Sequence, residues 1–208
     1  MSSQENRDRE GQDTRRATMS RKTSETAISL SINLDGRGTS TIQTGIGFFD
    51  HMLTLMAKHG LFDLELRVAG DLEVDGHHTV EDVGIVLGQA IKEALGDKAG
   101  IKRYGSAFVP MDEALVLAAL DFGGRPYLVY EVTLPAQQVG QFDTELIREF
   151  FQALAVNGGM NIHLKQFSGV NTHHLVEAAF KALGQAIKQG VEVDPRITGV
   201  LSTKGTLE

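Results

Sequence analysis

The sequence contains no cysteine. That excludes a disulfide framework, a thiolate metal site and a cysteine nucleophile, and it fits a cytoplasmic location. A basic stripe is also missing. Asp and Glu number 27 against 20 Lys and Arg, for a net charge of −7, which argues against a nucleic-acid partner. No apolar run approaches the roughly 18 residues of a membrane span, and the N-terminus has no apolar core of the secretory kind, so no membrane partner is expected. The Gly-rich dinucleotide fingerprint is absent too, Gly45-Ile46-Gly47 being a weak trace of it, which disfavours one continuous parallel sheet. What is present is 41% hydrophobic and 23% charged over 208 residues, enough for one domain or two small ones with an adequate core.

The chain repeats itself. Asp75-Gly76-His77-His78-Thr79-Val80-Glu81-Asp82 returns 96 residues later as Asn171-Thr172-His173-His174-Leu175-Val176-Glu177-Ala178. Residues 77–92 and 173–188 share ten of sixteen positions, including the run Leu-Gly-Gln-Ala-Ile-Lys. A repeat of this kind fixes the architecture before any motif is read. Ile28, Leu30, Ile32 and Leu34 alternate as a half-buried strand, and Asp35-Gly36 turns the chain into a short strand through Ile42. Phe48, Phe49, Met52, Leu53 and Met56 have helical spacing, Phe62 to Val68 alternates again, and the double histidine opens a second helix with Val80, Val83, Leu87 and Ile91 on its buried face. The second half repeats the order, with strands at 115–120, 127–134 and 160–164 and helices around Leu146–Leu154 and after His173. The fold expected is α+β: two pseudo-symmetric repeats of strand-strand-helix-strand-helix, the helices packed on one face of each sheet. Residues 1–22 read as a disordered leader, with Met19 as an alternative start, 23–112 as the first α+β repeat and 113–208 as the second.

Histidine and carboxylate are the natural ligands for first-row divalent ions where thiolate is absent. His77 with Glu81, and His173 with Glu177, stand four apart on one helix face and can each offer a nitrogen and an oxygen to one ion. Adjacent histidines diverge by roughly 100°, so His78 and His174 point to a second ion. Two ions are expected, each with ligands from both halves. Aligning Asp63-Leu64-Glu65-Leu66 with Asn161-Ile162-His163-Leu164 sets His51 opposite Glu149, a further pair of metal-competent groups. The repeat diverges at one telling place: Lys181 stands where the first half has Ile85. A single substrate with a single phosphate needs a cation in one half only, so Lys181 is expected to bind phosphate and not metal.

At these residues the chain resembles the imidazoleglycerol-phosphate dehydratases of histidine biosynthesis. The resemblance runs from about Arg21 to Leu207. It rests on Thr44-Gly45-Ile46-Gly47-Phe48-Phe49-Asp50-His51-Met52, His59-Gly60-Leu61-Phe62-Asp63, His77-His78-Thr79-Val80-Glu81-Asp82, Met111-Asp112-Glu113-Ala114, Gly124-Arg125-Pro126, Asn171-Thr172-His173-His174 and Ser202-Thr203-Lys204-Gly205. It implies a duplicated fold like ribosomal S5 domain 2, and a hydro-lyase that converts imidazole glycerol phosphate to imidazole acetol phosphate. It further implies two Mn²⁺ ions per active site and a homo-oligomer of 24 subunits with active sites between them. By position, the implied metal ligands are His51, His77, His78, Glu81, Glu149, His173, His174 and Glu177. At Glu149 the chain departs from plant members, which carry histidine there. Glu25, Asp112 and His59 match catalytic positions, with Glu25 the candidate for proton transfer. Arg103, Arg125, Lys181, Ser202 and Lys204 match substrate contacts, and Leu201 stands where proline is common.

Two other readings use the same residues. A two-metal phosphate-ester hydrolase also needs paired ions and cationic anchors, and phosphate release would distinguish it. A metal-buffering or shell-forming protein would bind metal without turnover. Neither accounts for seven ordered segments of resemblance.

Overall fold

Alternation along Thr26–Asn33 makes this strand the spine of a sheet. Ile28, Leu30 and Ile32 are buried on one side, and Ala27 and Ser29 are exposed on the other. The computed structural model describes residues 15–207. Its first half contains β1 (Arg16–Lys22), β2 (Thr26–Asn33), β3 (Ser40–Gln43), α1 (Gly47–Gly60), β4 (Asp63–Gly70) and α2 (His77–Leu95). The second contains β5 (Tyr104–Met111), β6 (Ala114–Asp121), β7 (Tyr127–Glu131), the small hairpin β8 (Gln138–Val139) and β9 (Phe142–Asp143), α3 (Leu146–Gly158), β10 (Asn161–Ser168) and α4 (Thr172–Val191).

The two main sheets have the same topology, β1-β2-β4-β3 and β5-β6-β10-β7. In each, only the last pair of strands is parallel. The expected α+β duplication with helices on one face of each sheet is what the chain forms. Each repeat nevertheless opens with one strand more than its periodicity indicated. The last seven residues of the expected leader form β1, paired with β2 from Arg16↔Asn33 to Lys22↔Ala27, with Met19 opposite Leu30 in mid-strand. As an edge strand β1 fully buries only Ala17, so its composition looks like that of a solvated tail. Residues 1–14 of that leader lie outside the described residues. The boundary expected at 112/113 falls inside the β5–β6 hairpin, and the seam lies instead between Leu95 and Tyr104. The inward residues of β5 are the small Gly105 and Ala107 with Val109, too weak an apolar signal to announce a strand.

Strands β1–β3 match β5–β7 at an offset of 88, whereas α1 and β4 match α3 and β10 at 98. The β8–β9 hairpin occupies this ten-residue difference. The helices cross between halves: α2 packs against α3 and α1 against α4. Glycines from the shared run make this approach possible. A Cβ on Gly88 of α2 would stand 2.7 Å from Gly158 N and 2.8 Å from Leu154 O of α3. A Cβ on its counterpart Gly184 in α4 would collide with Met56 O and stand 3.1 Å from Gly60 N of α1. Met56 and Gly60 are the counterparts of Leu154 and Gly158, so the two helix pairs meet through equivalent atoms.

Candidate active site

The crossing of α1 over α4 sets the first-half residue His51 beside two second-half residues. His51 Nε2 is 3.0 Å and His173 Nε2 2.9 Å from the same atom, Glu177 Oε1. Among the described residues this is the one group of three whose ligand atoms all lie within 4.8 Å of one another. Asn171 caps α4, its side chain accepting from the amides of His173 and His174, and so aims the helix start at the site. Glu177 is buried, which by itself would raise its pKa. Hydrogen bonds from Lys181, His51 and His173 outweigh that and hold it at about 2. Two imidazole nitrogens converging on one ionised carboxylate make a donor set suited to a divalent cation.

The second histidines point elsewhere, as divergence along a helix requires. The rings of His173 and His174 are 6.4 Å apart and nearly perpendicular, and those of His77 and His78 are 6.3 Å apart. His78 Nδ1 lies 3.0 Å from Asp71 Oδ2, and its Nε2 is 3.7 Å from Glu25 in the β1–β2 turn. His174 Nδ1 lies 2.8 Å from Glu113 Oε2, and its Nε2 is 3.8 Å from Asp112 in the β5–β6 turn. The hydrogen bonds to Asp71 and Glu113 raise the pKa of each histidine. Asp112 takes a positive φ of 49°, which Asp tolerates in a two-residue hairpin turn.

The remaining expected residues are dispersed. His77 and Glu81 open α2 and Glu149 opens α3, where it lies 3.6 Å from Arg148; among the described residues they form no metal-sized cluster. Lys181 Nζ is 2.6 Å from Glu177 Oε2. His59 closes α1, its pKa lowered by burial and by the nearby charge of Lys181. Arg103 forms a bidentate pair with Asp121, at 2.6 and 2.9 Å, donates to Leu201 O, and shares a cleft of about 570 Å³ with Ser202. Ser202 Oγ accepts from the amide of Lys204, whose side chain is exposed, as is that of Arg125 between β6 and β7.

Three carboxylates at the site carried no expected role: Asp71, Glu113 and Asp82. Asp82 is buried, 3.0 Å from Arg21 and 2.5 Å from Thr26 Oγ1, and fastens the β1–β2 hairpin to α2. Glu113 lies at the strand register of Glu25, a correspondence that only the pairing of β5 with β6 reveals.

Comparison with known proteins points one way. The imidazoleglycerol-phosphate dehydratase family model matches residues 44–187. The imidazoleglycerol-phosphate dehydratase of Acetivibrio thermocellus is 62% identical over 193 residues, covering 93% of this chain and 99% of that protein. That of Lachnoclostridium phytofermentans is 60% identical over 194 residues, with the same coverage. Among solved structures, the Staphylococcus aureus imidazoleglycerol-phosphate dehydratase superposes with a TM-score of 0.79 at 39% identity, covering 86% of this chain and 99% of that one. The enzyme from Pyrococcus furiosus gives 0.79 at 40% identity, covering 91% and 100%.

Proposed function

This chain belongs to the imidazoleglycerol-phosphate dehydratase family, and from that premise we infer that it is the hydro-lyase that removes water from imidazole glycerol phosphate, giving imidazole acetol phosphate, in histidine biosynthesis. The observation that carries the reading is the convergence of His51, His173 and Glu177, from both halves of the repeat, on one potential metal position. The donor set fits a divalent cation. We propose two Mn²⁺ ions per active site, held by His51, His77, His78, Glu81, Glu149, His173, His174 and Glu177. A bound ion would supply a Lewis acid able to draw negative charge into an imidazole ring.

The chain's own residues do the rest. The proton to be removed sits on carbon and is activated by no carbonyl, so a positioned base is required. We assign that task to Glu25, with Asp112 and His59 as competing groups. Lys181, Arg103, Arg125, Ser202 and Lys204 are the proposed substrate and phosphate contacts. Arg103 N donates to Gly190 O at the C-terminal end of α4, thirteen residues beyond Glu177. That is about 20 Å of helix between Glu177 and the backbone partner of Arg103. The separation supports active sites shared between copies, in the proposed assembly of 24.

The test is a direct assay for imidazole acetol phosphate with chelated enzyme, repeated after adding Mn²⁺. Turnover should vanish and return, and His77→Ala and His173→Ala should each abolish it. Elemental analysis of active enzyme should give two ions per site. Release of inorganic phosphate in place of the ketone would identify the hydrolase reading instead.

A further inference from the structure

The second histidine of each pair is held the same way by groups that are not equivalent. Donation from His78 Nδ1 to Asp71 and from His174 Nδ1 to Glu113 sets the proton on Nδ1 in both rings and leaves each Nε2 lone pair free. At the strand offset of 88, however, the counterpart of Glu113 is Glu25. At 98, the counterpart of Asp71 is Gly169, which has no side chain.

The two glutamates therefore lead different lives. Glu113 is fully engaged: Oε1 accepts from Val170 N at 3.2 Å and Asn171 N at 2.8 Å, and Oε2 faces His174. Glu25 makes no side-chain hydrogen bond among the described residues, is half exposed, and lies 3.7 Å from His78 Nε2. Its backbone, by contrast, is pinned. Asp71 N donates to Glu25 O at 3.1 Å, and Asp82 grips Arg21 and Thr26 on either side of the turn.

We infer that Asp71 is a positioning residue: by holding His78 at Nδ1 it releases Glu25, whose counterpart in the other half is consumed by the same duty, to meet the substrate. This rests on the dehydratase reading, in which one proton is removed from carbon per turnover and one free carboxylate suffices. Without Asp71, the acceptor nearest His78 is Glu25 at the opposite nitrogen. The ring proton would move to Nε2, taking both the lone pair and Glu25 out of use.

Two measurements on the full chain test this. In metal-free protein labelled with ¹⁵N-histidine, His78 should be the Nδ1–H tautomer; D71A should convert it to Nε2–H, and D71N, which keeps an acceptor, should not. Titrated with Mn²⁺ alone, D71A should bind roughly 10- to 100-fold more weakly. In turnover, E25Q should lose on the order of 100-fold in kcat at any Mn²⁺ concentration, whereas the loss in D71A should be largest at limiting Mn²⁺ and shrink as the ion, competing for Nε2, displaces the ring proton. D71N should recover most of the activity. A D71A loss indifferent to Mn²⁺ concentration, an unchanged tautomer in D71A, or a D71N as inactive as E25Q with its tautomer intact would each overturn the proposal. If the parent converts no imidazole glycerol phosphate, the functional reading fails while the tautomer result still decides the role of Asp71. Should D71A not fold, D71S, whose side chain is too short to reach Nδ1, takes its place in each measurement.

Discussion

Glu177 concentrates the electrostatics of the site in one buried side chain. With its folded pKa depressed to about 2, it contributes stability that is fully present above the unfolded value near 4.5 and is lost as pH falls from there toward 2. Lys181 is the strongest of the groups lowering it. Lys181→Met should therefore make the metal-free protein less stable at neutral pH and flatten its acid limb between pH 4.5 and 2, read from denaturant melts across that range. A parallel acid limb would remove Lys181 from this role. The same variant should bind a phosphate-free analogue as well as the parent does, if Lys181 also meets phosphate. Single residues were readable where the repeat doubled them: His51 was found from its offset partner Glu149, and His173 with Glu177 from His77 with Glu81. Asp71 and Asp82 were not, because their counterparts are Gly169 and Ala178, and a side chain that holds a neighbour in place need not be copied when the neighbour is.

Among elements, the helices and most strands announce themselves in the sequence, and the leading edge strands β1 and β5 do not. β2 buries every second side chain and β4 buries Leu64 and Leu66, whereas β1 fully buries one residue and β5 buries small ones. Edge strands are defined by the partner they pair with more than by their own apolar content. The shared Leu-Gly-Gln-Ala-Ile-Lys run was visible as sequence, but its purpose is visible only in the helix crossings. Gly88→Ala and Gly184→Ala should each destabilise the protein by about 1–3 kcal/mol through overpacking. Equilibrium denaturation of both variants checks this, and parent-like stability in either would mean that the crossing has room to spare.

At the level of the whole molecule the duplication is symmetric inside and asymmetric outside. The outer face of the first sheet carries Ser20, Ser29 and Ala69; the equivalent positions of the second carry Phe108, Leu117 and Phe167, with Phe108 and Phe167 in ring contact at 5.3 Å. Phe108 and Phe167 remain 59% and 53% exposed in a single chain, an apolar surface that suits a second copy. Restoring the first-half residues with Phe108→Ser and Leu117→Ser should shift the assembly to smaller species in sedimentation, with helix content unchanged. An unaltered sedimentation profile would take this face out of the proposed assembly. The crossing of α2 over α3 and α1 over α4 also has a consequence in time. The ribosome finishes α2 about a hundred residues before α4, an interval of roughly 5–20 s at ordinary elongation rates. The face of α2 that receives Leu154 has no partner until α3 is made, and that of α1 that receives Gly184 none until α4 follows. The nascent first half is thus a sheet whose two helices each keep one face uncovered until its own duplicate arrives to complete it.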